Sequence, residues 1–126
     1  MMREHAAIFR QEALGLWVPE NQLSEYKKYF RKVWSVTKKC KNKLFQLWNG
    51  ECFYTGKILN YYLVFYIEYY PTIDHKLSIF YGFKNNIDPL FIGSLENLCI
   101  CSRKINVEKG AKTHLEFIKQ NVVHCS

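Results

Sequence analysis

From Gln22 onward, apolar and aromatic residues return at every third or fourth position. Leu23, Tyr26, Phe30, Val33 and Trp34, with Thr37 completing the stripe, fall on one face of a helix for which Ser24 is the expected cap. The lysine-rich stretch KKCKNKLFQLW reads as a second helical segment ending near Trp48. The period then breaks. NGECFYTGKIL, punctuated by Gly50 and Gly56, predicts a turn, a short strand and another turn. NYYLVFYIEYY is dense in aromatic and β-branched residues, holds no Gly or Pro, and predicts a strand running towards PTIDHK. Residues 76–94 carry Gly82, Asn85, Asn86, Asp88, Pro89 and Gly93, all turn formers, and read as a loop. LENLCIC predicts a second short strand. SRKINVEKG predicts a helix from Ser102 to Gly110, and THLEF a further helix opened by the capping pair Thr113 and Glu116. Residues 1–20, broken by Gly15 and Pro19, read as a short helix and a loop. The sum is an α+β chain: helices first, then strand, loop, strand and helix.

Length and charge narrow this picture. A chain of 126 residues has room for one modest core, so one site is expected. The net charge of +7 is uneven: residues 1–50 hold ten basic and four acidic side chains, and residues 51–126 hold eight and seven. A basic half beside a nearly neutral one points to a polyanionic partner, nucleic acid before anionic lipid, with a solvated lysine face as the plain alternative. Lys27, Lys28, Arg31, Lys32, Lys38 and Lys39 stand beside the apolar stripe and are the candidate phosphate contacts. No apolar run reaches the ~20 residues of a spanning helix. The first residues lack a signal-peptide core, so no membrane partner and a cytoplasmic setting are expected. Five cysteines, odd in number and irregularly spaced, suit free thiols rather than a disulfide framework.

The second half brings Asp74 and His75, at a strand end, into line with a helix carrying Asn106. The ordered segments ECFYTGK, PTIDHK, ENL, INVEKG and THLEFI resemble the HNH endonuclease family over residues 51 to about 118. The nearest likeness is to the small free-standing nucleases of phages and other mobile elements. The resemblance implies a ββα-metal core of two antiparallel strands and a helix. It divides the chain into a basic helical extension (1–50), a nuclease core (51–120) and a tail (121–126). Asp74, His75, Asn97 and Asn106 occupy the family's motif positions, with the family's nine-residue step from Asn97 to Asn106.

The roles follow from the same likeness and from chemistry. His75, which titrates near neutrality when unperturbed, suits the general base. The Asp74 carboxylate and the Asn106 side-chain carbonyl are hard oxygen donors suited to Mg²⁺ or Mn²⁺. Asn97 is implied by the likeness to tie the loop and orient the base, while Arg103 and Lys109, flanking Asn106 on or near the short helix, are candidates to hold phosphates. His114 reads as a surface residue of the last helix. Many family members carry zinc on two Cys-x-x-Cys pairs; here Cys52 stands with Thr55, and Ser102 and Ile105 fill the second pair, so no structural zinc is expected. The expected activity is metal-dependent hydrolysis of double-stranded DNA, nicking per monomer, by a monomer or homodimer. The competing readings are a basic DNA-binding protein with an idle core, and a nuclease acting on RNA.

Overall fold

The computed structural model describes residues 18–59 and 67–125. Among them are five α-helices: α1 (Leu23–Leu47), α2 (Ile79–Lys84), α3 (Pro89–Ile92), α4 (Arg103–Lys109) and α5 (His114–Cys125). One sheet accompanies them, an antiparallel pair of β1 (Pro71–His75) and β2 (Leu98–Ser102) in which Asp74 faces Cys99 and His75 faces Leu98. The molecule is α+β, with a strand pair followed directly by a helix. The expected helix at residues 1–17 lies outside the described residues.

The two helical segments expected before residue 48 are one continuous helix of 25 residues. Nothing in the KKCKNK stretch breaks the backbone, and the apolar stripe continues from Thr37 to the buried Leu44. The cap differs from expectation. Gln22 holds that position with no side-chain bond, after a 3-10 turn at Glu20–Gln22, and Ser24 falls inside the first turn.

Helix α1 spans two apolar clusters. Towards its N-terminus, Tyr26 and Val33 pack with Val18, Ile79 and Ile92; towards its C-terminus, Leu44 packs with Cys52, Leu59, Leu98, Ile100 and Cys101. Its apolar face is thus part of the common core, so the helix is not a separate arm. Thr37, fully buried, lies between the two clusters.

Strand β1 begins later than expected. Residues 60–66 of NYYLVFYIEYY lie outside the described residues, Ile67–Tyr69 form a 3-10 turn, and pairing starts at Pro71. A proline fits there, because the first residue of a strand can do without an N–H. Between Gly50 and Leu59 the expected short strand is reduced to a single bridge, Glu51 to Ile58. The segment 76–94 is also more regular than a loop. Ser78 caps α2 by accepting from Tyr81 N, and Asp88 caps α3 ahead of Pro89 by accepting from Leu90 N. Both are helix-start signals that also serve as turn signals, and here the helices win.

Helix α4 matches its expected bounds. Ser102 accepts from Ile105 N at its start, and Gly110 ends it at φ +55°, a conformation that strains any side chain. Thr113 accepts from Glu116 N to open α5, which continues to Cys125 through most of the expected tail.

Candidate functional site

The site grows from the open edge of β1. Arg103 N donates to Tyr70 O and Lys76 N donates to Asn97 O, so even-numbered residues of this stretch turn their backbone groups towards β2. Ile73 and His75 therefore offer their carbonyls to the open side. Two side chains of α4, spaced three apart on one helix face, take them. Asn106 Nδ2 donates to Ile73 O at 3.3 Å and to Thr72 Oγ1 at 3.1 Å. Lys109 Nζ donates to His75 O at 2.9 Å. This pairing docks the helix against the strand.

Strand alternation sends Asp74 and His75 to opposite faces. Asp74 is buried beneath three groups: Lys109 Nζ lies 3.3 Å from Oδ1, Tyr54 donates its hydroxyl to Oδ2 at 2.6 Å, and Cys99 Sγ lies 3.7 Å from Oδ2. Burial first, and the Asp74 charge second, push the Tyr54 phenol far above its ordinary pKa, which keeps it a donor. Cys99 is pushed up to about 12 by burial and then by Asp74, so it remains a thiol. His75 faces α1, with Nε2 3.0 Å from Thr37 Oγ1 and its ring edge-on to Trp34 at 5.2 Å. Burial, aided by the nearby Lys109 charge, lowers its pKa from 6.5 to about 4. The imidazole is therefore neutral at physiological pH.

The two faces meet at a cleft of about 210 Å³, whose walls include Phe30 and Trp34 of α1, Phe80 of α2, and Asp74, His75 and Asn106. Three of the four motif residues thus share one opening. Asn97 does not join them. Its Oδ1 accepts from Leu77 N at 2.8 Å, and its Nδ2 donates to Leu77 O and Ile92 O, tying the segment after β1 to the end of α3. It holds this segment in place and makes no hydrogen bond to the His75 ring.

For a divalent cation the donors are right in kind: the Asp74 carboxylate, and the Asn106 Oδ1, which has no hydrogen-bond partner among the described residues. A carboxylate has about four acceptor positions, so the Lys109 and Tyr54 bonds leave room for another ligand. Two such oxygens suit a cation that keeps waters and takes substrate oxygens as further ligands. Among the described residues no group of three His, Cys, Asp or Glu side chains is placed to hold a metal. Cys40, Cys52, Cys99 and Cys101 are free thiols.

The expected phosphate contacts separate into three groups. Lys109 is corrected: at 1% exposure, with its ammonium spent on Asp74 and His75 O, it cannot meet a phosphate. Arg103 and its neighbour Lys104 are exposed at the start of α4. On α1, Lys28, Arg31, Lys32, Lys38 and Lys39 are exposed and Lys27 is half-buried. At about 100° per residue, Lys27, Arg31 and Lys38 come next after the cleft-lining Phe30 and Trp34 around the helix. Lys28, Lys32 and Lys39 lie further round.

Sequence reasoning missed Tyr54, Lys109 as an Asp74 partner, and the contact of Thr37 and Trp34 with His75. Only the helical stripe marked Thr37 and Trp34 as buried, and no local signal paired them with a residue about 40 positions away. His114 is half-buried, with Nδ1 enclosed and unpartnered, rather than a surface residue. No helix among the described residues is long and apolar enough to cross a membrane. In comparisons with known proteins, no family model, no curated protein and no solved structure matches the chain.

Proposed function

We propose that the protein is a divalent-metal-dependent endonuclease of the HNH type that hydrolyses phosphodiester bonds in double-stranded DNA. The observation that carries this reading is the convergence of Asp74, His75 and Asn106 on one cleft, at the edge of a strand pair crossed by a short helix. A neutral His75, buried against Trp34, accepts the proton of an attacking water. Asp74 and Asn106 would hold Mg²⁺ or Mn²⁺, which when bound supplies positive charge to the phosphoryl and leaving oxygens. Lys109 and Tyr54 hold the Asp74 carboxylate in place. Lys27, Arg31 and Lys38 on one side of the cleft, and Arg103 at the head of α4, take the flanking phosphates. One constellation per chain makes a nick the product of a single encounter.

Purified protein incubated with supercoiled plasmid and Mg²⁺ or Mn²⁺ should yield open circles, and His75→Ala should abolish the activity. A plasmid left intact by wild type, or cut equally by His75→Ala, overturns the reading.

A second reading has its own support. Lys109, Tyr54 and Cys99 already take three of the acceptor positions of Asp74, as they would in a DNA-binding protein whose nuclease core is idle. Titration with Mn²⁺ separates the two. Binding that disappears in Asp74→Asn favours the nuclease; absence of Asp74-dependent binding favours the idle core.

A further inference from the structure

Thr37 carries one hydroxyl proton and stands among three hydrogen-bond partners. Its Oγ1 lies 3.0 Å from Val33 O, 3.3 Å from Gly93 O and 3.0 Å from His75 Nε2, and the residue is fully buried. The carbonyls can only accept. If the hydroxyl donates to either of them, its lone pairs face Nε2, and Nε2 must carry the ring hydrogen. The lone pair of the neutral imidazole then resides on Nδ1, the nitrogen without a partner among the described residues, on a side chain that lines the cleft. The opposite arrangement turns the hydroxyl to Nε2 and withdraws it from both carbonyls, leaving the carbonyl of the buried Gly93 without a hydrogen-bond donor among the described residues. Buried polar groups are rarely left that way.

We infer that Thr37 is a positioning residue that locks His75 in its Nε2–H tautomer, so that Nδ1 is the atom presented to water in the cleft. Two features hold the lock. Trp34, one helical turn before Thr37, meets the imidazole at 82° and opposes rotation of the ring. Gly93 brings its carbonyl to the helix because it has no side chain; a Cβ there would meet Val33 O and Val36 Cβ closer than atoms tolerate. Thr37, which accepts from Nε2–H, belongs to the long basic helix, outside the strand–strand–helix unit. That helix therefore completes the base as well as carrying charge. The catalytic consequence rests on the nuclease reading; the tautomer does not.

The test reads the two separately. In protein labelled with ¹⁵N at histidine, the ring-nitrogen shifts of His75 at neutral pH distinguish Nε2–H from Nδ1–H without any DNA. Wild type should show Nε2–H; Thr37→Val, which keeps the shape and loses the hydroxyl, should mix the tautomers; Thr37→Ser should restore the wild-type pattern. Plasmid nicking should fall on the order of 10²-fold in Thr37→Val and recover in Thr37→Ser, as expected when a general base is misdirected. A wild-type spectrum showing Nδ1–H overturns the inference even if Thr37→Val fails to fold, as does a Thr37→Val protein with an unchanged tautomer and rate. Wild-type protein that shows Nε2–H yet leaves DNA intact supports the tautomer assignment and overturns only the nuclease reading.

Discussion

Asp74 and His75 are adjacent in the chain and buried to a similar degree, yet their surroundings differ. The carboxylate is met by an ammonium and a phenol; the imidazole is met by a hydroxyl and an indole and shares its neighbourhood with the same ammonium, which opposes its charge. Folding therefore opposes protonation of His75, lowering its pKa from 6.5 to about 4. Between those values the unfolded chain binds a proton that the folded chain refuses. Stability owed to this group is constant above pH 6.5, falls as pH drops towards 4, and levels off below that. The full loss is about 3 kcal/mol at most. Urea denaturation of wild type and His75→Gln, each at about pH 7 and about pH 4.5, isolates the effect. Wild type should lose more stability on acidification than the variant, and equal losses would refute the burial argument.

Among the elements, packing against α1 is decided by two glycines. A Cβ on Gly82 would run into the Tyr29 hydroxyl and the Ile92 side chain, and one on Gly93 into the backbone of α1 itself. A flexible tip can shift, whereas a helix carbonyl cannot. Gly93→Ala should therefore cost about 1–3 kcal/mol, measured as a lowered urea midpoint, and should loosen the Thr37 contact with His75. An alanine that leaves the midpoint unchanged would mean that α1 sits further out. In sequence, this interlock looks like turn chemistry. Gly82 and Gly93 signal bends, while Ser78 and the Asp88–Pro89 pair, which start helices as readily as turns, blend into the same apparent loop. Helix α4 is legible because its cap, length and terminal glycine agree. The start of β1 is not, because aromatic content suggests an earlier strand where Ile67–Tyr69 form a 3-10 turn. Asp74, His75 and Asn106 are legible through spacing along the chain. Tyr54 and Thr37 are not, because their roles depend on contacts 20 and 38 residues away. Lys109 is misleading because a lysine in a basic chain looks like surface until its partner is seen.

At the scale of the molecule, the positive charge is gathered on the solvent side of one long helix whose other side closes the core. On the nuclease reading proposed above, association with DNA should be strongly salt-dependent. The arrangement around the cleft makes this a prediction about particular residues. Replacing Lys27, Arg31 and Lys38 with glutamine should reduce the slope of log affinity against log salt by about 1 for each phosphate no longer neutralised. The same change at Lys28, Lys32 and Lys39, on the far side, should alter it by less than about 1 in total. Fluorescence anisotropy of a labelled duplex across a KCl series measures both slopes. Equal slopes for the two triple variants would remove the cleft from the path of the DNA.

The strand pair has a further property at this scale. A sheet of two strands has two rims, each able to recruit a foreign strand and seed aggregation. One rim is sealed at Ile100 O by the backbone N–H of Phe53. The other is sealed at Ile73 O and His75 O by Asn106 and Lys109, side chains that also meet the proposed cation site and the Asp74 charge. The two side chains that dock α4 against β1 thus also cap its open carbonyls and keep the sheet from growing.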